Sequence, residues 1–183
     1  VIAMTDAGWV RRNTIVWWKP NCMPQSAKDR FSNDFEFVYF FTKSGNYWFE
    51  QQLEPYTELL KRWGGPKTKA TDQSKGDEFA VREHMGREYR PNHRGRNMRS
   101  VWRIPTAQFP GSHFAVFPEA LVEPMIRAGC PKDGLVLDPF LGSGTVAVVA
   151  ERLNRKWLGI ELNPEYIAMA YRRLEKVQKE LAL

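Results

Sequence analysis

Apolar positions along this chain follow two rhythms. Residues 14–18 (Thr-Ile-Val-Trp-Trp) gather β-branched and aromatic side chains and predict a strand. Residues 35–42 form a longer apolar run and predict a second. Between them, residues 19–34 hold Pro20, Pro24, Asn21 and Asn33 and read as a loop. Lys43-Ser-Gly45-Asn46 is a turn signal, after which Tyr47-Trp-Phe49 is expected to return as a hairpin partner. The helical rhythm starts with Leu53, Tyr56, Leu59 and Leu60, a short helix over 51–63. Residues 118–129 predict another, with Pro118 in its first turn, Gly129 at its end and Pro124 inside, where it should kink or shorten the helix. Val146, Val149, Ala150 and Leu153 mark a helix over 143–153. Ile167, Ala170, Leu174, Val177 and Leu181 mark a long amphipathic one, with Asn163 as N-cap and Pro164 as first residue. The charged residues between those positions read as its solvated face. Residues 1–7 look like the end of a helix already under way. Val1 is not an initiator Met, so a fragment or trimmed start is expected.

One stretch organises the rest. Val136-Leu137 reads as a buried parallel strand ending in Asp138, then Pro139-Phe140-Leu-Gly142-Ser143-Gly144-Thr145 and a helix. Trp157-Leu-Gly-Ile160 reads as a second strand, closed by Glu161, Leu162 and Asn163. This is a strand–loop–helix–strand unit with an acid at each strand's C-terminal end, where open α/β sheets bind ligands. Backbone N–H groups at a helix N-terminus suit a carboxylate or phosphate, and a carboxylate after the second strand suits a ribose diol. Asp138 sits badly beside a pyrophosphate and well beside a cation. A ligand with a ribose, an ammonium and no phosphate fits best, and S-adenosylmethionine (AdoMet) is such a ligand. The NAD fingerprint G-x-G-x-x-G lacks its third Gly here, and no G-x-x-x-x-G-K-[ST] loop occurs.

Composition narrows the partners. The length of 183 residues suits one domain with a small insert. No apolar run is long enough for a membrane span, and no signal peptide is read at the start. Cys22 and Cys130 are expected to be free thiols, and His84, His93 and His113 are too scattered for a metal cluster. A cytoplasmic setting is expected. Residues 62–103 hold 11 Lys/Arg against 5 Asp/Glu, so the whole net charge of +6 falls there. Such a basic excess is the footprint of a nucleic-acid binder. A solvated basic loop is the plain alternative, and basic loops often order only on binding. Trp17, Trp18, Phe31, Tyr39 and Trp48 are each candidates to stack on an extruded base, although most must be core.

Asp138-Pro-Phe-Leu-Gly-Ser-Gly-Thr145, followed by Gly159-Ile-Glu-Leu-Asn-Pro-Glu-Tyr166, resembles the AdoMet motifs of amino-group DNA methyltransferases of the permuted (beta) group. Upstream, Gly8-Trp9, Arg12-Asn13, Lys19-Pro20, Met23-Pro24, Ser26, Asp29-Arg30 and Phe35-Glu36 resemble the family segment that follows its catalytic tetrapeptide. His113-Phe-Ala-Val-Phe117-Pro118 resembles the segment that closes over the methionine part of AdoMet. The resemblance implies an α/β, Rossmann-like AdoMet-dependent methyltransferase sheet, permuted and incomplete, with a basic target-recognition insert. Residues 1–50 would be part of the catalytic half, 51–99 the insert and 100–183 the AdoMet half. Asp138 would hold the methionine ammonium, and Pro139, Phe140, Gly142, Ser143, Gly144 and Thr145 would line the loop. Glu161 would hold the ribose, Leu162 and Asn163 would edge the adenine, and Phe117 and Pro118 would cover the methionine end. Ser26, Asp29, Arg30, Arg82, Arg87, Arg90, Arg94, Arg96 and Arg99 would contact double-stranded DNA.

The implied reaction moves a methyl group from AdoMet to an exocyclic amino group of a DNA base, cytosine N4 favoured over adenine N6, as in restriction-modification. The amino lone pair is delocalised into the ring, so such an enzyme must extrude the base, hold its nitrogen near the methyl carbon and accept hydrogen bonds from its protons. In the family those acceptors come from an Asp/Ser/Asn-Pro-Pro-aromatic tetrapeptide, and this chain has no Pro-Pro. In the permuted order it would precede Val1, so an N-terminal segment or a second chain is expected to carry it. This chain alone is expected to be catalytically inactive and to bind AdoMet weakly. Two other readings remain: a non-catalytic AdoMet- or DNA-binding remnant, and a methyltransferase acting on RNA or a small molecule.

Overall fold

The computed structural model describes residues 1–55, 94–107 and 116–181. The chain divides into two compact units, one of Val1–Gln52 with Arg99–Leu183 and one of Leu53–Met98.

In the larger unit, α1 (Ile2–Asp6) leads into β1 (Val10–Trp18), which is longer than the sequence predicts and carries a register shift between Arg11 and Asn13. The second strand, β2 (Phe35–Thr42), begins and ends where its apolar run does and pairs antiparallel with β1. Residues 47–49 do not return as a hairpin partner. Tyr47 and Phe49 instead lay their rings against Phe40, each at 5.8 Å between centroids, and the chain runs on so that Glu50 N–H donates to the Ala128 carbonyl at 3.0 Å. Ring contacts with β2 take the place of a third ladder.

The expected helix over 51–63 is also corrected at its start. In the smaller unit, Leu53–Glu54 is a short strand, β3, paired antiparallel with β4 (Arg96–Asn97). Residues 56–63 lie outside the described residues. Gly95 makes the pairing possible: its φ is +115°, and a Cβ there would meet the Glu54 carbonyl oxygen at 2.4 Å.

Back in the larger unit, β5 (Val101–Arg103) adds to β1 in parallel, giving the order β2-β1-β5. Directly opposed residues share a face. Trp18, Phe35, Phe37, Tyr39 and Val101 therefore stand on one face, and all are exposed. Trp17 points the other way, is 5% exposed and donates its indole N–H to the Ile104 carbonyl at 2.7 Å.

Helix α2 (Glu119–Gly129) runs through Pro124, with Pro118 as its N-cap. The parallel pair β6 (Leu135–Asp138) and β7 (Lys156–Gly159) is joined by α3 (Thr145–Arg152), and α4 (Pro164–Leu181) follows. Asn163 caps α4, its Oδ1 accepting the Glu165 N–H at 2.9 Å. The core centres on α3. Val149 and Ala150 meet Val122 and Ile126 of α2, while Ala147 and Val148 meet Leu174 and Val177 of α4. Val136 of β6 and Trp157 of β7 pack beneath. Each buried Val, Leu or Ile among them contributes about 1.5–3 kcal/mol relative to exposure, and α3 meets both helices, so it is the anchor of this unit. The opposite face of the pair is bare: Leu135, Leu137, Leu158 and Ile160 are all exposed, Leu137 at 57%.

Candidate functional site

The turn from β6 into α3 is shaped by its own backbone. Leu141 N–H donates to the Ile160 carbonyl at 2.9 Å, which ties the turn to the end of β7, and Gly144 N–H donates to the Leu141 carbonyl at 2.9 Å. Gly142 (φ +53°) and Gly144 (φ +81°) take left-handed conformations that disfavour any side chain. At Gly144 the demand is also steric. A Cβ would stand 2.7 Å from the Cβ of Ala170 on α4, so its smallness admits the close approach of that helix. At Gly142 a Cβ would meet only the Phe140 carbonyl oxygen, at an ordinary 3.9 Å.

Two acids meet this loop, at the strand ends the sequence predicts. Asp138 accepts the Phe140 N–H at 3.0 Å, and Phe140 itself projects into solvent. Glu161 accepts three backbone N–H groups, each at 2.8 Å: Gly142 on Oε2, Leu162 and Asn163 on Oε1. The Asn163 N–H does most to hold this carboxyl below its ordinary value; partial burial opposes it, and the Gly142 and Leu162 N–H groups add to the lowering. The loop, Asp138 and Glu161 are thus gathered at one end of β6 and β7, beside the first-turn N–H groups of α3 that lack intrahelical acceptors.

Phe117 and Pro118 stand at the entry to α2, Phe117 exposed and Pro118 buried. Phe117 also lines an apolar cavity of about 920 Å³. That cavity opens between Trp17 and Val38 of the β1–β2 pair and Leu121, Val136 and Val146 of the α2–β6–α3 layer. Asp138, Gly142, Gly144 and Glu161 do not line it, so this cavity and the polar loop are separate features.

The expected DNA contacts divide. Ser26, Asp29 and Arg30 lie exposed in the loop after β1, Arg30 reaching Asp29 at 3.1 Å. Arg94 and Arg99 are exposed. Arg96 instead forms a half-buried ion pair with Glu54 at 2.8 Å, bracing the β3–β4 pair. Arg82, Arg87 and Arg90, with the whole stretch 56–93, lie outside the described residues, as do His113 and its neighbours. Of the aromatic candidates, Trp17 is core, whereas Phe31 is 99% exposed.

One residue escaped the sequence reading. Arg173, assigned there to a solvated face, is half-buried. Its Nη1 donates at 3.0 Å to the Ser143 carbonyl, Ser143 Oγ and Thr145 Oγ1, and its Nη2 donates at 3.0 Å to Glu119 Oε1. The signal was available: position 173 falls three after Ala170 and four before Val177, on the apolar stripe.

Residues 1–172 match the N6_N4_Mtase family, described as DNA methylase. The chain belongs to this family. It is 41% identical over 173 residues to the type II methyltransferase M.XycI of Xanthomonas campestris pv. cyanopsidis, covering 94% of this chain and 47% of that protein. It is 39% identical over 173 residues to M.Cfr9I of Citrobacter freundii, with the same coverage of 94% and 47%. The chain therefore spans about half the length of the curated relatives it matches. Among solved structures, the PvuII DNA methyltransferase (cytosine-N4-specific) superposes with a TM-score of 0.62 at 22% identity, over 97% of this chain and 58% of that one. The M1.HpyAVI–SAM complex gives 0.59 at 24% identity, over 93% and 65%. The fold is thus the α/β fold of DNA methyltransferases.

Proposed function

We propose that this chain is the AdoMet-binding and DNA-contacting part of an amino-specific DNA methyltransferase. The observation that carries the reading is the pinned loop: Gly142 bound to Glu161, Asp138 beside it and the α3 N-terminus behind it, in a chain of the DNA methylase family. The donor set fits AdoMet. Asp138 offers a carboxylate for an ammonium. Glu161 offers an acceptor for a ribose hydroxyl. No lysine or arginine stands in the loop sequence for a phosphate, and Arg173, which reaches the loop from α4, is engaged by Ser143, Thr145 and Glu119. When bound, AdoMet supplies an electrophilic methyl on a sulfonium. The loop orients that group, Leu162 and Asn163 edge the adenine, and Phe117 with Pro118 keeps water from the methionine end.

The DNA side is assigned to exposed Ser26, Asp29, Arg30, Arg94 and Arg99 and to the basic stretch within 51–99, with double-stranded DNA as substrate and the cytoplasm as its setting. We favour cytosine N4 over adenine N6 as target. The acceptors for the amino protons come from a polypeptide outside this chain, an N-terminal segment or a second chain. Three features support this: the lack of Pro-Pro, the half-length match, and the bare apolar faces of the β2-β1-β5 and β6-β7 sheets. In doubly wound sheets such faces are covered by helices.

Isothermal titration of the chain with AdoMet, and transfer of tritiated methyl from AdoMet to duplex DNA, test the reading. Weak AdoMet binding without transfer is expected of the chain alone. Transfer is expected once a tetrapeptide-bearing segment is supplied, with N4-methylcytosine in the digested DNA. Absence of AdoMet binding by the supplemented protein refutes the cofactor assignment. A second reading, a non-catalytic remnant, is favoured by the missing tetrapeptide alone; binding without transfer after supplementation would establish it.

A further inference from the structure

We propose that Arg173 is a positioning residue that sets the shape of the cofactor loop and, through Glu119, ties that loop to the start of α2 where Phe117 and Pro118 stand. The proposal rests on the loop being the AdoMet site, but its geometry is independent of that reading.

The loop is held from two sides by opposite charges. Glu161 takes the N–H of Gly142, and Arg173 takes the oxygens of the other half. The two N–H bonds of Nη1 serve three acceptors, the Ser143 carbonyl, Ser143 Oγ and Thr145 Oγ1, each at 3.0 Å. One of those bonds is therefore shared. Two glycines in left-handed conformations flank Ser143, so this segment has more freedom to lose than any other in the site. A guanidinium's planar fork suits it to fixing several oxygens at once.

A cation at the N-terminal turn of α3 opposes the helix dipole. Stability alone does not select that placement. Glu119 offsets it: Oε1 pairs with Arg173 Nη2 at 3.0 Å, while Oε2 pairs with Arg152 of α3. Arg152 in turn reaches Glu180 of α4 at 3.4 Å. Glu119 is the first residue of α2 and directly follows Pro118. A change in the position of α2's first turn is therefore transmitted to Ser143 through one carboxylate and one guanidinium.

The test compares Arg173→Met, Arg173→Lys and Glu119→Gln in the full 183-residue chain. Two readouts are used: amide hydrogen exchange at residues 142–145, with β6 and α4 amides as internal controls, and AdoMet affinity by titration. Arg173→Met is expected to speed exchange in the loop and weaken AdoMet by about tenfold, as for loss of one charge-assisted hydrogen bond, with the control amides unchanged. Arg173→Lys should restore part of both, since an ammonium can bridge Ser143 and Thr145. Glu119→Gln should keep the Ser143 and Thr145 contacts and show a smaller loss. Loop exchange and affinity within twofold of the parent in a folded Arg173→Met protein overturn the proposal, as does uniform loosening of loop and controls together. If Arg173→Met does not fold, Glu119→Gln and Arg173→Lys decide it by the same two criteria. Where the chain alone binds AdoMet too weakly to titrate, affinity is read in the protein supplemented with the tetrapeptide-bearing segment; if that protein binds none, the cofactor reading fails while the exchange arm still judges Arg173.

Discussion

Gly142 donates its backbone N–H to Oε2 of Glu161 at 2.8 Å, across 19 residues of sequence. A carboxylate offers about four acceptor positions, and Glu161 already uses three on backbone N–H groups. A ribose diol needs two. Binding AdoMet at Glu161 therefore displaces the Gly142 N–H or leaves one hydroxyl bonded elsewhere. Glu161→Gln removes an acceptor oxygen, so at least one of the three N–H groups loses its partner, and AdoMet affinity is expected to fall by about tenfold or more. The pH dependence follows from the lowered pKa. Because the folded value lies below the reference value of 4.5, the contribution to loop order is complete above that value and is lost only as pH falls through the lower, folded value. The Gly142 amide resonance should titrate below pH 4.5 in the parent and not at all in Glu161→Gln. A midpoint above 4.5 would contradict the three-bond arrangement.

Gly144→Ala tests the seam between loop and α4. The new methyl would enter a space where Ala170 Cβ lies 2.7 Å away, on a backbone with φ +81°. Overpacking and left-handed strain together predict about 2–4 kcal/mol of destabilisation. Chemical denaturation measures it. Ala170→Gly in the same protein should recover the steric part and leave the conformational part. A single substitution costing under about 0.5 kcal/mol shows that α4 retreats freely.

The local parts of this fold were legible because local chemistry fixes them. The run 35–42 and the Asn163–Pro164 cap appear as written in the sequence, since β-branched and aromatic runs and capping oxygens act over a few residues. The acids after β6 and β7 were equally legible, being placed by strand ends. What failed was set by distant contacts. Residues 47–49 carry strand propensity, but Tyr47 meets Phe40 edge-on, Phe49 stacks on it, and the chain passes on to α2. Leu53 sits on a helical period but pairs with Asn97, 44 residues on. Arg173 shows its inward position in the apolar period of α4, but not its partner, because Glu119 lies 54 residues away on another helix.

The bare faces predict how the chain behaves alone. Leu135, Leu137, Leu158 and Ile160 on one pair of strands, and Phe35, Phe37 and Tyr39 on the other sheet, leave apolar surface of the kind that marks interaction sites. The isolated chain is expected to bind a hydrophobic dye and to self-associate in light scattering. Phe37→Lys and Leu137→Lys together should shift it toward monomer without loss of helical circular dichroism, because both side chains are more than half exposed, at 51% and 57%. The same pair should weaken productive joining to the tetrapeptide-bearing segment. A parent chain that is monomeric and dye-silent at high concentration shows that these faces need no cover.

Arg30 and Arg96 predict opposite DNA phenotypes. Arg30 is largely exposed and, among the described residues, pairs with an exposed neighbour, Asp29, at 3.1 Å. Such a surface pair is worth about 0–1 kcal/mol, so a phosphate can recruit the guanidinium with little loss. Arg96 is committed to Glu54 at 2.8 Å, with both side chains mostly covered. Arg30→Ala is therefore expected to weaken duplex binding evenly across sequences and to lower the slope of log affinity against log salt by about 1. Arg96→Ala should leave that slope nearly unchanged. It should instead raise amide exchange at Leu53, Glu54 and Asn97, because the brace across β3 and β4 is gone. Fluorescence anisotropy with duplex DNA over a salt series reads the first effect, and hydrogen exchange reads the second. A salt slope lowered by Arg96→Ala and untouched by Arg30→Ala would reverse the two assignments and make Glu54 a partner that DNA displaces.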